Sequence, residues 1–282
     1  MVFRNYWKNK LFSIVNCLGL SISIVLIFFL TIYVSTEKSV DQFHKNERIY
    51  RVLRNNECAF SPPFGQYIVD NIEGAESFCR IFVIEATLKS DFNLIKSPNC
   101  YYADANFFEI FSFPVIKGTP ENILESSNSV ALSESFSKKL FPNQDPVGKK
   151  IRFNNRLDYI VTGVFKDFSE NTHFKQADII LPYRAFNDFL GGSDFTNQYN
   201  LHYFLPALYV VANENTDLSS KGDKLYRKAK PWYWLFQEDG SKNTQFQPLK
   251  DVYLNQAEYG FPLGTRTGNN KLITAIILIV FA

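Results

Sequence analysis

The chain has 282 residues, with 30 Lys+Arg against 28 Asp+Glu and a formal net charge of +2. Residues 37–270 hold every acid and all basic residues except Arg4, Lys8, Lys10 and Lys271, which leaves that part at about −2. Such a balance, without a clustered basic face, excludes nucleic acid as a partner, while roughly 230 residues suffice for a core in one large domain or two lobes.

At the N-terminus Phe3, Tyr6, Trp7, Leu11 and Ile14 recur at helical spacing, with Arg4 and Lys8 on the other side. This is the pattern of an amphipathic elbow lying on a membrane surface. Leu11 to Thr36 then runs 26 residues without a charge, between Lys10 and Glu37. At ~1.5 Å per residue the run reaches roughly 39 Å, more than a ~30 Å hydrocarbon core requires. In lipid it must be helical to satisfy its own backbone. With Arg4, Lys8 and Lys10 on one side, the positive-inside rule puts the N-terminus in the cytoplasm and everything after Ser35 outside. The competing reading is a cleaved signal peptide, whose apolar region is shorter, about 7–15 residues. Tyr33-Val34-Ser35-Thr36 is also a poor cleavage site. Gly19 and Ser23 form a small-xxx-small pair suited to packing on another helix.

Past the membrane run, Ser39-x-x-Gln42 reads as a capping box opening a short helix. Arg48 to Leu53 alternates as a strand, Pro62 to Ile72 reads as a helix opened by proline, and Phe78 to Leu88 as a strand. Together they make one β-α-β unit. Between about 95 and 200 the pattern predicts short helices at Ala105–Ile110 and Ser133–Leu140. It also predicts strands at Ser129–Leu132, Lys149–Phe153, Tyr159–Phe165 and Ile179–Leu181, with turns at Lys117-Gly118-Thr119-Pro120, Pro142-Asn143, Asp145-Pro146 and Gly191-Gly192. A second β-α-β unit follows from Leu208–Ala212, Asp217–Lys230 and Thr244–Leu249. Leu272 to Ala282 is apolar except for Thr274 and reads as the start of a second transmembrane helix; a hydrophobic C-terminal strand is the alternative. The expected fold class is therefore α+β. Elbow and transmembrane helix occupy 1–36, a β-α-β lobe with a β-rich inserted lobe occupies 37–270, and the start of a second span occupies 271–282.

Candidate chemistry is sparse. Gly264 to Lys271 lacks the G-x-x-x-x-G-K-[ST] pattern of a phosphate loop, so the chain should not hydrolyse ATP by itself. His44, His173 and His202 fit no metal-ligand spacing. Gly191-Gly192-Ser193-Asp194 is not preceded by a strand and reads as a loop rather than a nucleophile elbow. Cys17 lies in the membrane run. Cys58, Cys79 and Cys100 allow at most one bridge and read as small buried hydrophobes. Phe107, Phe108, Phe111 and Phe113 read as core packing. No catalytic, metal or cofactor residue is predicted, and no cofactor.

Several stretches carry a family resemblance. Asp41-Gln-Phe-His-Lys-Asn-Glu-Arg-Ile-Tyr-Arg-Val52 resembles the opening of the periplasmic core domain of MacB/FtsX-type ABC transporter permeases. Tyr102 to Gly118, Ser129 to Lys149, Val161 to Phe174 and Pro248 to Leu254 resemble later segments in family order, the last being a strand before the second span. The basic-aromatic start, Arg4 to Lys10, also fits. Where the family has proline after Asp167, this chain has Phe168-Ser169. The resemblance implies a MacB-like periplasmic core domain over 37–270 in the cell inner membrane. It implies a permease subunit, or an N-terminal fragment of one, that passes the motion of a separate cytoplasmic ABC-type ATPase to a periplasmic domain for export or efflux. Implied partners are that ATPase, the lipid bilayer, a second permease copy or half, and periplasmic or outer-membrane export components. Asp41 and His44 would fix the junction between helix and domain, and the Asp145-Pro146-x-Gly148 turn would set the start of the next strand. The alternatives are an FtsX-like subunit that activates an extracellular cell-wall hydrolase, a membrane-anchored sensor or adhesion domain, and an anchored hydrolase.

Overall fold

The structure, a computed structural model, describes residues 10–45, 47–89, 94–153, 156–189, 206–237, 243–255 and 265–281. Phe3, Tyr6 and Trp7 of the expected elbow, Gly191 to Asp194 and His202 lie outside the described residues. The apolar run forms helix α1, Lys10–Lys38, whose 29 residues include none that is buried. Ser21, Ser23 and Thr31 turn their hydroxyls back to carbonyls one turn earlier, so these three hydroxyls are satisfied within the helix.

Four strands make the first lobe: β1 (Ile49–Arg54), β2 (Ala75–Lys89), β9 (Ala207–Ala212) and β10 (Thr244–Pro248). Their order is β10-β1-β9-β2, with every neighbour antiparallel. The two β-α-β units therefore interleave: β9 lies between β1 and β2, giving a split β-α-β arrangement. Helix α2 (Phe64–Asn71) joins β1 to β2, and α6 (Gly222–Ala229) joins β9 to β10. Both cover one face, where Phe60, Phe64, Ile68, Leu218, Leu225, Tyr233 and Phe236 pack against Val52, Leu208 and Val210. Pro63 sets the first turn of α2 at φ −75°.

The inserted lobe grows out of β2. Strands β3 (Leu94–Ala103), β5 (Ser129–Ser133), β6 (Lys150–Phe153), β7 (Leu157–Phe165) and β8 (Ile179–Pro182) pair in the circuit β2-β3-β8-β5-β7-β6 and back to β2, with short β4 (Val115–Lys117) outside on β7. This closes a six-stranded barrel. Period-two alternation sorts each strand: Cys100, Tyr102, Val130, Leu132, Ile179 and Leu181 fill the barrel, while Tyr101, Ala103, Ala131 and Ile180 face the opposite side. On that opposite side Tyr209 and Val211 of β9 continue one aromatic layer, with helix α3 (Phe107–Ile110), Phe111, Phe113, Phe165 and Phe174 packed over it. Helix α4 (Glu134–Leu140) covers the barrel and is capped by Ser133 Oγ, which accepts from Phe136 N at 3.3 Å, and short helix α5 (Phe186–Phe189) follows β8. At the expected turn, Val147 N donates to Asp145 Oδ1 (3.1 Å), Gly148 takes φ +81°, and its N–H pairs with Val161 O at 2.8 Å just before β6.

Three expectations are corrected. The Ser39/Gln42 pair does not open a helix but closes α1. Ser39 Oγ donates to Thr36 O and Gln42 Nε2 to Lys38 O, so both serve its orphan carbonyls. Residues 249–252 are a short helix, α7 (Leu249–Val252), not a strand, because the chain turns at Pro248 as it leaves the sheet. Strands β3 and β4 were not expected. The C-terminal apolar run is helix α8 (Asn270–Phe281) rather than a strand; it packs beside α1 and buries Ile273 and Ile276. The four cysteines form no disulfide, and Cys58, Cys79 and Cys100 are buried.

Gly222 opens α6 where a Cβ would overlap the carbonyl oxygen of Thr244 on β10. Because that neighbour is backbone, α6 would have to lift off the sheet. Gly222→Ala should destabilise the domain by ~1–3 kcal/mol, read as a lower denaturation midpoint in detergent; an unchanged midpoint would show that α6 tolerates the shift.

Candidate functional site

The site that distinguishes this fold is the joint where the two apolar helices meet the domain. After α1 the chain makes one sharp bend at Asp41, a left-handed residue with φ 64°, a conformation that aspartate tolerates better than most side chains. The bend turns the carboxylate inward, where it is buried. It accepts hydrogen bonds from Thr172 Oγ1 (2.8 Å), the His173 backbone N–H (3.1 Å) and His173 Nδ1 (2.9 Å). The Asp41 N–H in turn donates to Asn171 O at 3.1 Å. Burial alone would raise the carboxyl pKa, but the charge and hydrogen bond of His173, then His44 and Thr172, outweigh it and hold Asp41 far below its ordinary 3.8. An ionised carboxylate only accepts, so Nδ1 of His173 carries a proton. Nε2 of the same ring meets the Tyr209 hydroxyl at 2.8 Å, in the middle of β9.

His44 docks the next part of the joint. Its Nδ1 accepts from the Ser112 backbone N–H at 3.2 Å, and Lys45 N donates to Ser112 Oγ at 2.9 Å. The ring sits among Phe43, Phe111 and Phe113. Its Nε2 is 3.5 Å from Asp41 Oδ1, too far for a good hydrogen bond but close enough for charge to act.

The second helix is tied to the same loop. Arg266 N donates to His173 O at 2.5 Å, its guanidinium pairs with Glu170 Oε2 at 2.8 Å, and Thr265 bridges Phe174. Buried Arg51 on β1 reinforces the approach to α8. It donates to Gln247 Oε1 (2.7 Å) and Asn255 O (3.1 Å), while Gln247 Nε2 also donates to Asn255 O (3.0 Å). Residues 170–174 therefore hold both helices, one through the Asp41 side chain and the other through Arg266.

Asp41, His173 and Tyr209 stand in the carboxylate-imidazole-hydroxyl order of a hydrolase triad, but the geometry serves structure. All three are buried, burial raises the Tyr209 hydroxyl far above 10, and the 500 Å³ cleft beside Asp41 and His44 is lined by neither His173 nor Tyr209. Among the described residues no group of three or more His, Cys, Asp and Glu is placed to hold a metal. The family resemblance puts Asp41 and His44 at the junction and His173 in the Val161–Phe174 segment, but gives His173 no partner. Its contact with Asp41 spans 132 positions and leaves no local trace.

With an apolar helix entering a split β-α-β lobe that carries a barrel insertion, the comparison with known families becomes decisive. A family model described as the MacB-like periplasmic core domain matches residues 13–225. The chain belongs to that family. Three solved structures show what the MacB-like domain is similar to. A domain of a Porphyromonas gingivalis protein assigned as a permease is 19% identical, with TM-score 0.55, covering 72% of this chain and 90% of that one. The periplasmic region of MacB from Actinobacillus actinomycetemcomitans is 18% identical, with TM-score 0.52, covering 68% and 86%. The extracellular domain of the noncanonic ABC-type transporter YknZ from Gram-positive bacteria is 14% identical, with TM-score 0.50, covering 71% and 99%. No curated protein matches the sequence. A MacB-like domain behind an apolar helix long enough to cross a bilayer makes this a membrane-anchored protein with a periplasmic domain, and its family is that of ABC permeases.

The buried carboxylate makes a testable demand. Asp41→Ala strands the donors of Thr172 and His173 and should cost ~3–5 kcal/mol. The folded pKa is depressed, so Asp41 contributes stability that is present above its unfolded 3.8 and lost as pH falls below it. Thermal unfolding of the chain in nanodiscs between about pH 5 and 3 should show wild type losing stability more steeply than Asp41→Asn; parallel slopes would contradict an ionised Asp41.

Proposed function

We propose that the chain is a permease subunit of an ABC transporter that passes the ATP-driven movement of a separate cytoplasmic ATPase to its periplasmic domain for export. The single observation that carries this reading is the double anchoring: α1 and α8 are both tied to residues 170–174, one by Asp41 and one by Arg266. A passive tether needs no such joint, whereas a rigid-body movement passes only through a stiff one. Arg4, Lys8 and Lys10 support a cytoplasmic N-terminus in the inner membrane. The ATPase would supply all nucleotide chemistry, and a second permease copy or half would supply the surface against which the domain moves. Periplasmic or outer-membrane export components would receive the cargo.

The test breaks the joint without touching either core. A Gly-Ser pair inserted between Lys38 and Ser39 separates α1 from the Asp41 anchor with a flexible link. In the complete permease with its ATPase in nanodiscs, spin labels at Lys224→Cys on the two copies should change separation when ATP binds. The inserted variant should hydrolyse ATP and lose that change. An inserted variant that moves like wild type would leave only an anchor, and a wild type that does not move would remove the transmitter altogether.

A further inference from the structure

We propose that His44 is a proton-operated latch: its neutral ring fastens the α1 joint to the Phe111–Phe113 segment, and a proton on Nδ1 unfastens it. Ser112 N–H points at His44 Nδ1 at 3.2 Å, so that nitrogen must offer a lone pair and the proton must sit on Nε2. A second proton could go only to Nδ1, where it would face the Ser112 N–H, donor against donor. The bond then breaks, and the flanking rings of Phe43, Phe111 and Phe113 offer no acceptor in its place.

Among the described residues, charged and titratable groups flank the ring on several sides. On its own segment stand Asp41, Lys45 and Glu47, and behind Asp41 stands His173 with the Tyr209 hydroxyl. Across the cleft are the Tyr50 hydroxyl, Asp217 and Lys250, and residues 111–113 bring no charge. Burial lowers the His44 pKa from 6.5; the nearby Asp41 carboxylate pulls it back up, and the charge of His173 lowers it again. A depressed folded value means that the latch adds stability fully present above pH 6.5 and lost as pH falls from there toward the folded pKa. Lys45 N–H to Ser112 Oγ would remain, so the segment loosens rather than unfolds.

Two measurements on the full chain in nanodiscs test this, and neither depends on the transporter reading. The chain has three histidines, so long-range ¹H–¹⁵N spectra of histidine-labelled protein resolve His44 once His44→Asn identifies its signals. At pH 8 His44 should be the Nε2–H tautomer; an Nδ1–H tautomer would overturn the proposal. Hydrogen exchange of the peptide spanning 107–116, corrected for intrinsic rate, should lose about tenfold protection between pH 8 and 5. In His44→Asn the side-chain oxygen still accepts from Ser112 N–H but does not titrate, so protection should stay constant. Wild-type protection that is independent of pH, or an equal loss in His44→Asn, would refute the latch. Should His44→Asn not fold, Asp41→Asn decides instead: it removes the charge that raises the His44 pKa, so the loss of protection must still begin near pH 6.5 but continue to lower pH than in wild type.

Discussion

One buried carboxylate holds the membrane-side helix to the folded domain. Asp41 is placed by a left-handed bend immediately after α1, and its oxygens are filled by donors from a loop more than a hundred residues away. A buried ion of this kind is costly unless every lone pair is used. Here the cost is offset by Thr172, the His173 backbone and the His173 ring, and each of those groups is fixed by something else. His173 leans on Tyr209 in the central strand β9, and its carbonyl takes the Arg266 N–H on the way to α8.

The rest of the architecture makes that cluster stiff. Tyr209 is held in place because β9 is flanked by β1 and β2, both antiparallel to it, and because its ring packs against Phe111 and Phe174. The loop carrying His173 is held at its far end by β8, which pairs in parallel with β3 and so belongs to the barrel. A single aromatic layer, from Phe107 through Phe113 to Phe168 and Phe174, fills the space between the joint and both lobes. A shift of α1 therefore meets packed side chains at every step, and packed interiors transmit displacement rather than absorb it.

Much of this was readable in local pattern. The α1 run, the β-α-β halves and most barrel strands announce themselves through period and turn chemistry, and five segments resemble the family in register. What was not readable is where distant pieces meet. Nothing local says that β9 slips between β1 and β2, or that β6 returns to β2 and closes the barrel. Strand β3 hid because Leu94 to Asn99 mixes Lys96, Ser97, Pro98 and Asn99 among its apolar residues. Ser39 and Gln42 misled because the same residue types serve a helix start and the carbonyls of a helix end. His173 was invisible as a site because its meaning depends on Asp41, Tyr209 and Arg266, which only the fold brings to it.

The central claim is that α1 and the domain form one stiff body through the joint at Asp41. The most direct measurement is a pulsed electron-spin distance in nanodiscs between labels at Leu26 in α1 and Lys138 in α4, both exposed positions, with Cys17 replaced by serine. A single narrow distance distribution, broadened by Asp41→Ala, is the predicted result. A distribution as broad in wild type as in Asp41→Ala would contradict the account.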